Sequence, residues 1–160
     1  MTFATADLCD AFGPLVHTVA PIFRDYGGLS RFAGPIETAR VSEDNALVAQ
    51  ILETAGLGRV LVVDGGGSLR CALVGGRLAA LAQANGWAGL VINGCVRDAA
   101  EIRAIPLGVR AINGSPRRGG KSGSGERGET VSFAGVTFSP GHFLYADDDG
   151  MVLADRSLTA

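Results

Sequence analysis

The fold is decided by residues 59–68, which read Arg59-Val60-Leu61-Val62-Val63-Asp64-Gly65-Gly66-Gly67-Ser68. The β-branched run predicts a buried strand, and the glycines after it predict a tight turn. Two similar apolar runs follow at residues 88–92 and 108–112. Helices are predicted between the runs, over residues 69–85 with a break near Gly75-Gly76, and over residues 97–104. Strands joined through helices by short connections predict a parallel βαβαβ unit.

The segments on either side of this unit carry further β signals. Residues 18–41 alternate apolar with polar side chains, and residues 131–153 form short runs that end in a hairpin signal at Asp149-Gly150. A helix is predicted over residues 42–55, because apolar residues recur there at helical spacing. The sequence therefore predicts a mixed α/β fold, with the parallel unit flanked by further strands. We expect residues 1–160 to form a single domain, since domains typically hold ~100–200 residues.

Composition excludes several classes of protein. Hydrophobic residues make up 47% and charged residues 19%, which argues against intrinsic disorder. Fourteen basic and sixteen acidic residues give a net charge of −2, which argues against direct coating of nucleic acid or an anionic membrane. Cys9, Cys71 and Cys95 lack the spacing of a disulfide framework or a zinc site. With no signal-peptide pattern and no membrane-spanning run, we expect a cytoplasmic protein.

Two glycine-rich segments suggest phosphate binding, but neither fits its motif. Gly65-Gly66-Gly67 invites a nucleotide or methyltransferase interpretation, yet Arg70 stands where G-x-G-x-x-G requires a glycine. A tight turn that positions Ser68 and Arg70 is the favoured interpretation. Residues 113–122 resemble a P-loop with Ser115 in place of the first glycine. We interpret this segment as a mobile basic loop, either simply solvated or in contact with an acidic partner or an anionic substrate.

The segment that carries the most chemistry is Gly94-Cys95-Val96-Arg97-Asp98. It leaves a buried strand and opens a short helix, and ligands of parallel sheets collect at the carboxyl ends of strands. Arg97 could hold a carboxylate in two parallel hydrogen bonds, and Asp98 could bind a hard divalent cation. Asp98 could equally do no more than favour the helix dipole. The spacing alone leaves both interpretations open.

Several segments resemble one known family in their order and spacing. The family contains the regulator of ribonuclease E activity A and the class II 4-hydroxy-4-methyl-2-oxoglutarate aldolases. The resemblance extends from about Asp7 to Leu153. The segments that carry it are Asp44-Asn45-Ala46-Leu47, Val62-Val63-Asp64-Gly65-Gly66-Gly67-Ser68-Leu69-Arg70, Ala72-Leu73-Val74-Gly75-Gly76, Gly94-Cys95-Val96-Arg97-Asp98, Phe133-Ala134-Gly135-Val136-Thr137-Phe138, Pro140-Gly141 and Tyr145-Ala146-Asp147.

The resemblance implies a fold and a set of site residues. The fold is a swivelling β/β/α domain, usually a homotrimer with its sites between subunits. In the aldolases, the arginine matching Arg97 binds the pyruvyl substrate, and the aspartate matching Asp98 anchors Mg²⁺ or Mn²⁺. The backbone around the substrate carboxylate matches Gly75, Gly76, Arg77 and Leu78.

The resemblance also implies an activity and an alternative to it. The activity is that of a divalent-metal-dependent lyase that acts on a small α-keto acid through a pyruvate enolate. It would cleave 4-hydroxy-4-methyl-2-oxoglutarate, with oxaloacetate decarboxylation as a side activity. Two departures favour the regulator branch: Gly76 stands where the aldolases usually carry an acidic residue, and the chain ends at Ala160, without their longer tail. That branch implies binding to ribonuclease E or a partner RNA helicase, with no direct contact to nucleic acid or membrane.

Overall fold

The computed structural model describes residues 2–159 and contains short helices packed on a mixed sheet. The helices are α1 Thr5–Phe12, α2 Ala46–Leu52, α3 Gly76–Ala84 and α4 Ala99–Arg103, with a 3-10 turn at Gly13–Leu15. The strands are β1 His17–Thr18, β2 Arg24–Asp25, β3 Phe32–Arg40, β4 Val60–Asp64, β5 Ala72–Val74, β6 Gly89–Val96, β7 Gly108–Gly114, β8 Glu126–Arg127, β9 Val131–Phe133, β10 Val136–Phe138, β11 Phe143–Asp147 and β12 Gly150–Ala154. None of the described helices is long and apolar enough to cross a membrane.

Ten strands form one curled sheet, and its centre is parallel as the sequence predicts. The order along its main path is β1-β12-β11-β3-β4-β6-β7-β2, with β5 paired to β6 and β8 paired to β3. Strands β3, β4, β6 and β7 run parallel to their neighbours in this row. The predicted α/β fold, with a parallel βαβαβ unit flanked by further strands, is therefore confirmed, and β3 adds a fourth parallel strand.

Strand β3 joins the parallel centre to the antiparallel flank. Its first residues, Phe32 to Pro35, pair with β11 in antiparallel register, while Ile36 to Arg40 pair with β4 in parallel register. Strand β11 continues into β12 through a tight turn, with Asp147 opposite Gly150. The hairpin expected at Asp149-Gly150 is confirmed.

The central strands are buried on both faces, which explains why they appear in the sequence as continuous apolar runs. On β4, Leu61 and Val63 pack into one core with Ile51 of α2 and other helix residues. The alternate residues, Val60 and Val62, pack into a second core that the strands of the antiparallel flank cover. The parallel sheet thus separates two hydrophobic layers, and its carboxyl edge is left for the chain segments that follow each strand.

The structure differs from the predicted elements at two points beside that edge. The helix expected over residues 69–85 is instead the short strand β5 followed by α3, because Ala72–Val74 pair with the end of β6. The turn expected at Asn93-Gly94 is absent from the described structure, because β6 continues to Val96 between β5 and β7. The second change lengthens the strand that delivers Arg97, and the first gives the end of that strand a partner.

Three helices also differ from the expectation. Helix α2 begins at Ala46 rather than Ser42, because Glu43 has a left-handed φ of 52°. Helix α4 begins at Ala99, because Asp98 is left-handed as well, with φ 60°. Helix α1, over Thr5–Phe12, was not predicted.

The aromatic ring of Phe32 lies directly against two glycines of the neighbouring parallel strands. A Cβ added to Gly89 or to Gly108 would overlap this ring. The ring also lies near Arg110: the distance from its centroid to the guanidinium carbon is 5.6 Å. Phe32 is therefore accommodated only because both glycines lack side chains.

We predict that Gly108→Ala lowers the free energy of unfolding by about 1–3 kcal/mol, because the methyl group overpacks the core at Phe32. Urea denaturation measures the change. Gly114→Ala is the matched control, since its Cβ would lie 3.6 Å from the nearest atom, an ordinary contact. Equal destabilisation by the two substitutions would contradict the packing argument.

Candidate functional site

A cleft of about 80 Å³ lies at the carboxyl edge of the parallel sheet, where β5 and β6 end. This is the edge at which ligands of parallel sheets collect. The loop before α2, the strand β5, the start of α3, the turn after β6 and the segment after β7 all contribute to it. Its lining residues are Asn45, Ala72, Gly75, Arg77, Leu78, Arg97, Asp98, Arg118 and Lys121.

Arg97 and Asp98 are fixed by backbone geometry at the end of β6. The Arg97 amide donates to the Val74 carbonyl at 3.0 Å, which extends the pairing of β5 with β6 by one residue. Asp98 then turns the chain into α4 through its left-handed conformation. The Gly76 amide donates to Oδ2 of Asp98 at 2.9 Å, so the carboxylate is oriented while its other oxygen carries no protein hydrogen bond within residues 2–159.

The first turn of α3 presents free backbone amides to the same cleft. The first bond of the helical pattern runs from the Ala79 amide to the Gly75 carbonyl, at 3.0 Å. The amides of Arg77 and Leu78 precede it and have no partner within the helix, which is the usual state of a helix N-terminus. A Cβ at Gly75 would lie 2.8 Å from Oδ2 of Asp98, so this approach requires glycine. The structure thus brings the predicted residues of α3 and β6 together.

The space beside Gly76 is filled by Glu101. A Cβ at position 76 would overlap the carboxylate of Glu101, which reaches back from α4 over the start of α3. The same glycine donates its amide to Asp98. Position 76 carries no side chain, yet the corner beside Asp98 contains a second carboxylate, supplied by a different helix.

The cleft is strongly positive. Four of its lining side chains are basic, and only Asp98 is acidic. In the part of the chain that the structure describes, Arg77, Arg97, Arg118 and Lys121 form no ion pair. Six arginines outside the cleft do form ion pairs: Nε of Arg70, for example, lies 2.6 Å from a carboxylate oxygen of Glu43. Unpaired positive charge, facing free amides, favours an anionic ligand.

The basic segment after β7 supplies two of these charges. Arg118 and Lys121 line the cleft, so the interpretation as a loop that contacts an anionic substrate agrees with their placement. The expected mobility does not agree with the structure. Backbone hydrogen bonds join Gly119 to Ala72 and Gly120 to Glu43, and hold the segment against β5 and the loop before α2.

The backbone amides of the glycine turn at residues 65–67 all donate to groups of the protein itself. The amides of Gly65 and Gly67 donate to the Asn93 carbonyl at 3.0 and 3.1 Å, and the Gly66 amide donates to Oδ1 of Asp64 at 3.0 Å. These amides are not available as an anion cradle. The sequence predicts a tight turn that positions Ser68 and Arg70, and in the structure both side chains donate to the carboxylate of Glu43. The Ser68 hydroxyl donates at 2.7 Å.

Larger cavities lie elsewhere, but they lack this combination of groups. Cavities of about 320, 460 and 360 Å³ exceed the cleft in volume. His17 and His142 line the second of them, and the acidic hairpin tip around Asp148 lines the first. Nowhere in residues 2–159 do three or more His, Cys, Asp or Glu side chains cluster as a metal site. Chemistry rather than volume therefore selects the cleft at Arg97 and Asp98.

Cys95 belongs to the segment singled out above, but it faces the core. Burial raises the pKa of its thiol above the ordinary value, and the neighbouring Cys71 acts in the same direction. A buried thiol with a raised pKa is a poor nucleophile near neutral pH. The chemistry of the segment therefore belongs to Arg97 and Asp98.

Three residues in or beside the cleft were not named as site residues from the sequence: Glu101, Arg118 and Lys121. Glu101 lies three residues after Asp98, and helical spacing could have placed the two carboxylates side by side. The basic composition of residues 113–122 indicates an anionic partner or substrate, but it does not place Arg118 and Lys121 at this cleft, because their position depends on pairing with Ala72 and Asp44, far away in the sequence.

The fold and the site together define an α/β protein with a small, positively charged cleft at the edge of its sheet. The cleft contains one oriented carboxylate, that of Asp98. The model of the RraA-like family, described as Aldolase/RraA, matches residues 5–153, and the chain belongs to this family. A protein of Alkalilimnicola ehrlichii is 55% identical over 158 residues, which are 99% of this chain and 98% of that protein. One of Burkholderia multivorans is 55% identical over 99% of this chain and 100% of its own length. Both are provisionally named 4-hydroxy-4-methyl-2-oxoglutarate aldolases.

Solved structures share the fold closely. The RNA-processing inhibitor RraA from Thermus thermophilis superposes with a TM-score of 0.96, at 46% identity, over 100% of this chain and 97% of that one. A Geobacillus kaustophilus protein named as an S-adenosylmethionine: 2-dimethylmenaquinone methyltransferase superposes with a TM-score of 0.95, at 49% identity, over 98% of this chain and 97% of that one. In the present chain the occupied amides at residues 65–67 do not favour a cofactor there.

If Asp98 holds a divalent cation, as the family resemblance implies, Gly75→Ala should weaken Mn²⁺ binding by about tenfold or more, because the added methyl group would displace the Asp98 carboxylate from its bond to Gly76. Electron paramagnetic resonance titration of free Mn²⁺ measures the affinity. Gly114→Ala, which adds a methyl group in ordinary contact, is the control. Unchanged affinity in Gly75→Ala, with the fold intact, would show that Asp98 does not hold the ion.

We also predict a pH-dependent effect of Asp44. Hydrogen bonds from Ser122 lower the pKa of Asp44 below its ordinary value of 3.8, with further help from backbone amides of Ala46, Ser122 and Gly123 and against the effect of burial. A lowered pKa means that the carboxylate stabilises the fold fully above pH 3.8 and loses this effect as the pH falls through the folded-state value. The difference in Tm between wild type and Asp44→Asn should therefore be constant from pH 7 to 5 and shrink below pH 3.8. A difference that stays constant down to pH 2 would contradict this.

Proposed function

We propose that the protein is a divalent-metal-dependent lyase that cleaves small α-keto acids through a pyruvate enolate. The proposed reactions are aldol cleavage of 4-hydroxy-4-methyl-2-oxoglutarate and decarboxylation of oxaloacetate. The observation that carries the proposal is the unpaired Arg97 guanidinium beside the oriented Asp98 carboxylate in one positive cleft. Relatives at 51–55% identity over almost the whole chain, provisionally named as this aldolase, support the same reaction.

The donor set beside Gly76 fits a hydrated hard cation. Mg²⁺ commonly takes one or two carboxylates and completes its shell with water and substrate oxygens. Asp98 offers one carboxylate oxygen that is free of protein hydrogen bonds within residues 2–159, and Glu101 lies across the same glycine. Mg²⁺ or Mn²⁺ held by Asp98 would supply electrophilic polarisation of the keto group.

The protein's own groups bind and orient the substrate. The amides of Arg77 and Leu78 at the start of α3 donate to the carboxylate next to the ketone, with the positive end of the helix behind them. The Arg97 guanidinium donates to the keto oxygen, where negative charge develops as the enolate forms. The two amides are fixed by the backbone before the substrate arrives, so little reorganisation of these donors opposes the reaction.

The two reactions share one intermediate. In aldol cleavage the C3–C4 bond breaks, its electron pair becomes the enolate, and the C4 hydroxyl loses its proton as a second pyruvate leaves. In decarboxylation of oxaloacetate the same electron pair remains on C3 as carbon dioxide leaves. In both, C3 of the enolate then takes a proton to give pyruvate. A cleft that stabilises the enolate therefore supports both cleavages.

We predict that Arg97→Ala and Asp98→Ala each reduce metal-dependent oxaloacetate decarboxylation by about 100-fold or more, because each removes a group that stabilises developing charge. The assay compares pyruvate formation with Mg²⁺ or Mn²⁺ against metal alone. Arg103→Ala removes an exposed arginine at the end of the following helix, α4, outside the cleft; it is the matched control and should retain full activity. Wild-type turnover no faster than metal alone would falsify the lyase proposal.

A second candidate function is favoured by the close match to the RNA-processing inhibitor RraA from Thermus thermophilis. In this alternative the protein binds ribonuclease E or a partner RNA helicase and lowers RNA turnover by covering a protein surface. Co-sedimentation with purified ribonuclease E separates the candidates. Binding without any lyase turnover would favour the regulator, and turnover without binding would favour the enzyme.

We further propose that the chain assembles as a homotrimer, on the strength of its family membership. Light scattering coupled to gel filtration gives the mass of the assembly directly. A mass near three times the 16.4 kDa of one chain supports the proposal, and a monomer contradicts it.

A further inference from the structure

The segment from Arg117 to Gly123 is attached to the rest of the protein along two margins. On one margin the Ala72 amide donates to the Arg117 carbonyl at 2.7 Å, and the Gly119 amide donates back to Ala72 at 3.1 Å. On the other, the Asn45 amide donates to the Gly120 carbonyl at 2.9 Å. The segment has no regular secondary structure of its own, so these attachments and the next set decide where its side chains lie.

Asp44 provides the remaining attachment. One of its carboxylate oxygens accepts hydrogen bonds from the amide and the hydroxyl of Ser122, both at 2.5 Å. The other oxygen accepts from the amides of Gly123, at 3.3 Å, and Ala46, at 3.0 Å. Asp44 is only 3% exposed, so a buried carboxylate closes the segment against the start of α2.

The attached segment carries two cations into the cleft. Arg118 and Lys121 lie between the two margins, and both line the cleft with Arg97. Neither forms an ion pair within the described residues. The amides of α3 and the Arg97 guanidinium are sufficient for one carboxylate and its neighbouring ketone. Two further cations at the same cleft, with no acidic partner of their own, offer donors for a second anionic group on the ligand.

We propose that Asp44 is a positioning residue that holds Arg118 and Lys121 at the cleft, and that these two side chains recognise a second carboxylate of the substrate. The inference rests on the proposed function, and it assigns the preference for a diacid over a monoacid to a segment outside the Arg97-Asp98 turn. Asp44 does not touch the substrate. Its removal leaves the α3 amides and Arg97 in place and affects only the end of the ligand that lies towards the segment.

The test compares two unreactive ligands that differ only at the second carboxylate. Isothermal titration in the presence of Mg²⁺ measures binding of 2-oxoglutarate and of its 5-methyl ester to wild type, Asp44→Asn and Arg118→Ala. The wild type should bind the diacid at least about tenfold more tightly, as expected for a charge-assisted hydrogen bond. Asp44→Asn should lose this preference as Arg118→Ala does, while binding of the ester stays unchanged.

Asp147→Asn is the matched control for loss of a buried aspartate. Asp147 is 5% exposed and accepts hydrogen bonds from Thr5 and Asp149 in a part of the fold away from the cleft. It should retain the diacid preference. If Asp44→Asn does not fold, Ser122→Ala removes one of the bonds to Asp44 and should reduce the preference in part.

Three results would overturn the inference. The first is equal affinity of the wild type for the diacid and the ester, and the second is that Asp44→Asn keeps the wild-type preference for the diacid. The third is that Asp44→Asn loses affinity for the diacid and the ester equally. Oxaloacetate turnover is measured on the same preparations. A wild type that prefers the diacid but shows no turnover would contradict the proposed lyase function and leave this inference standing, so the two failures are distinguishable.

Discussion

Strand β6 is hydrogen-bonded on both edges, and the positions of Arg97 and Asp98 in the cleft depend on this pairing. Strand β4 pairs with its first half, β5 takes over that edge near its end, and β7 follows the other edge. All eight residues are buried, so the strand cannot slip by one residue without moving apolar side chains to the wrong layer. Arg97 and Asp98 inherit a fixed position from this register.

The cleft combines two kinds of positive field that arise from different parts of the fold. The first is the start of α3, whose free amides and helix dipole follow from the turn at Gly75. The second is a set of basic side chains without acidic partners, delivered by β6 and by the segment after β7. Elsewhere in residues 2–159 some arginines are paired, as Arg127 and Arg59 are with Glu37, and others stand singly. Within the same range, the convergence of four unpaired cations on one cleft locates the site by charge where cavity volume does not.

The sequence predicts the parallel centre well, because strands buried on both faces have an unmistakable apolar pattern. It also singles out Arg97 and Asp98, which follow such a strand directly. It misses β5, since three apolar residues next to a helix carry no strand signal of their own and become a strand only by pairing with β6. It misses the attachment of residues 117–123 for a similar reason: the partners Asp44 and Ala72 are distant in sequence. Local pattern thus identifies the chemistry, and long-range pairing decides which side chains join it.

The contact between Gly76 and Glu101 links two positions that lie far apart along the chain. A side chain at position 76 and a folded-back carboxylate at position 101 cannot occupy the same space, although Glu101 is flexible enough to swing out to solvent. The corner beside Asp98 can therefore receive its acid from α3 or from α4. Among related sequences, the residue at position 76 should set which residues are tolerated at position 101, so that a substitution at either position alters the effect of a later one at the other. The absence of a side chain at position 76 thus constrains which substitutions position 101 can accept during evolution.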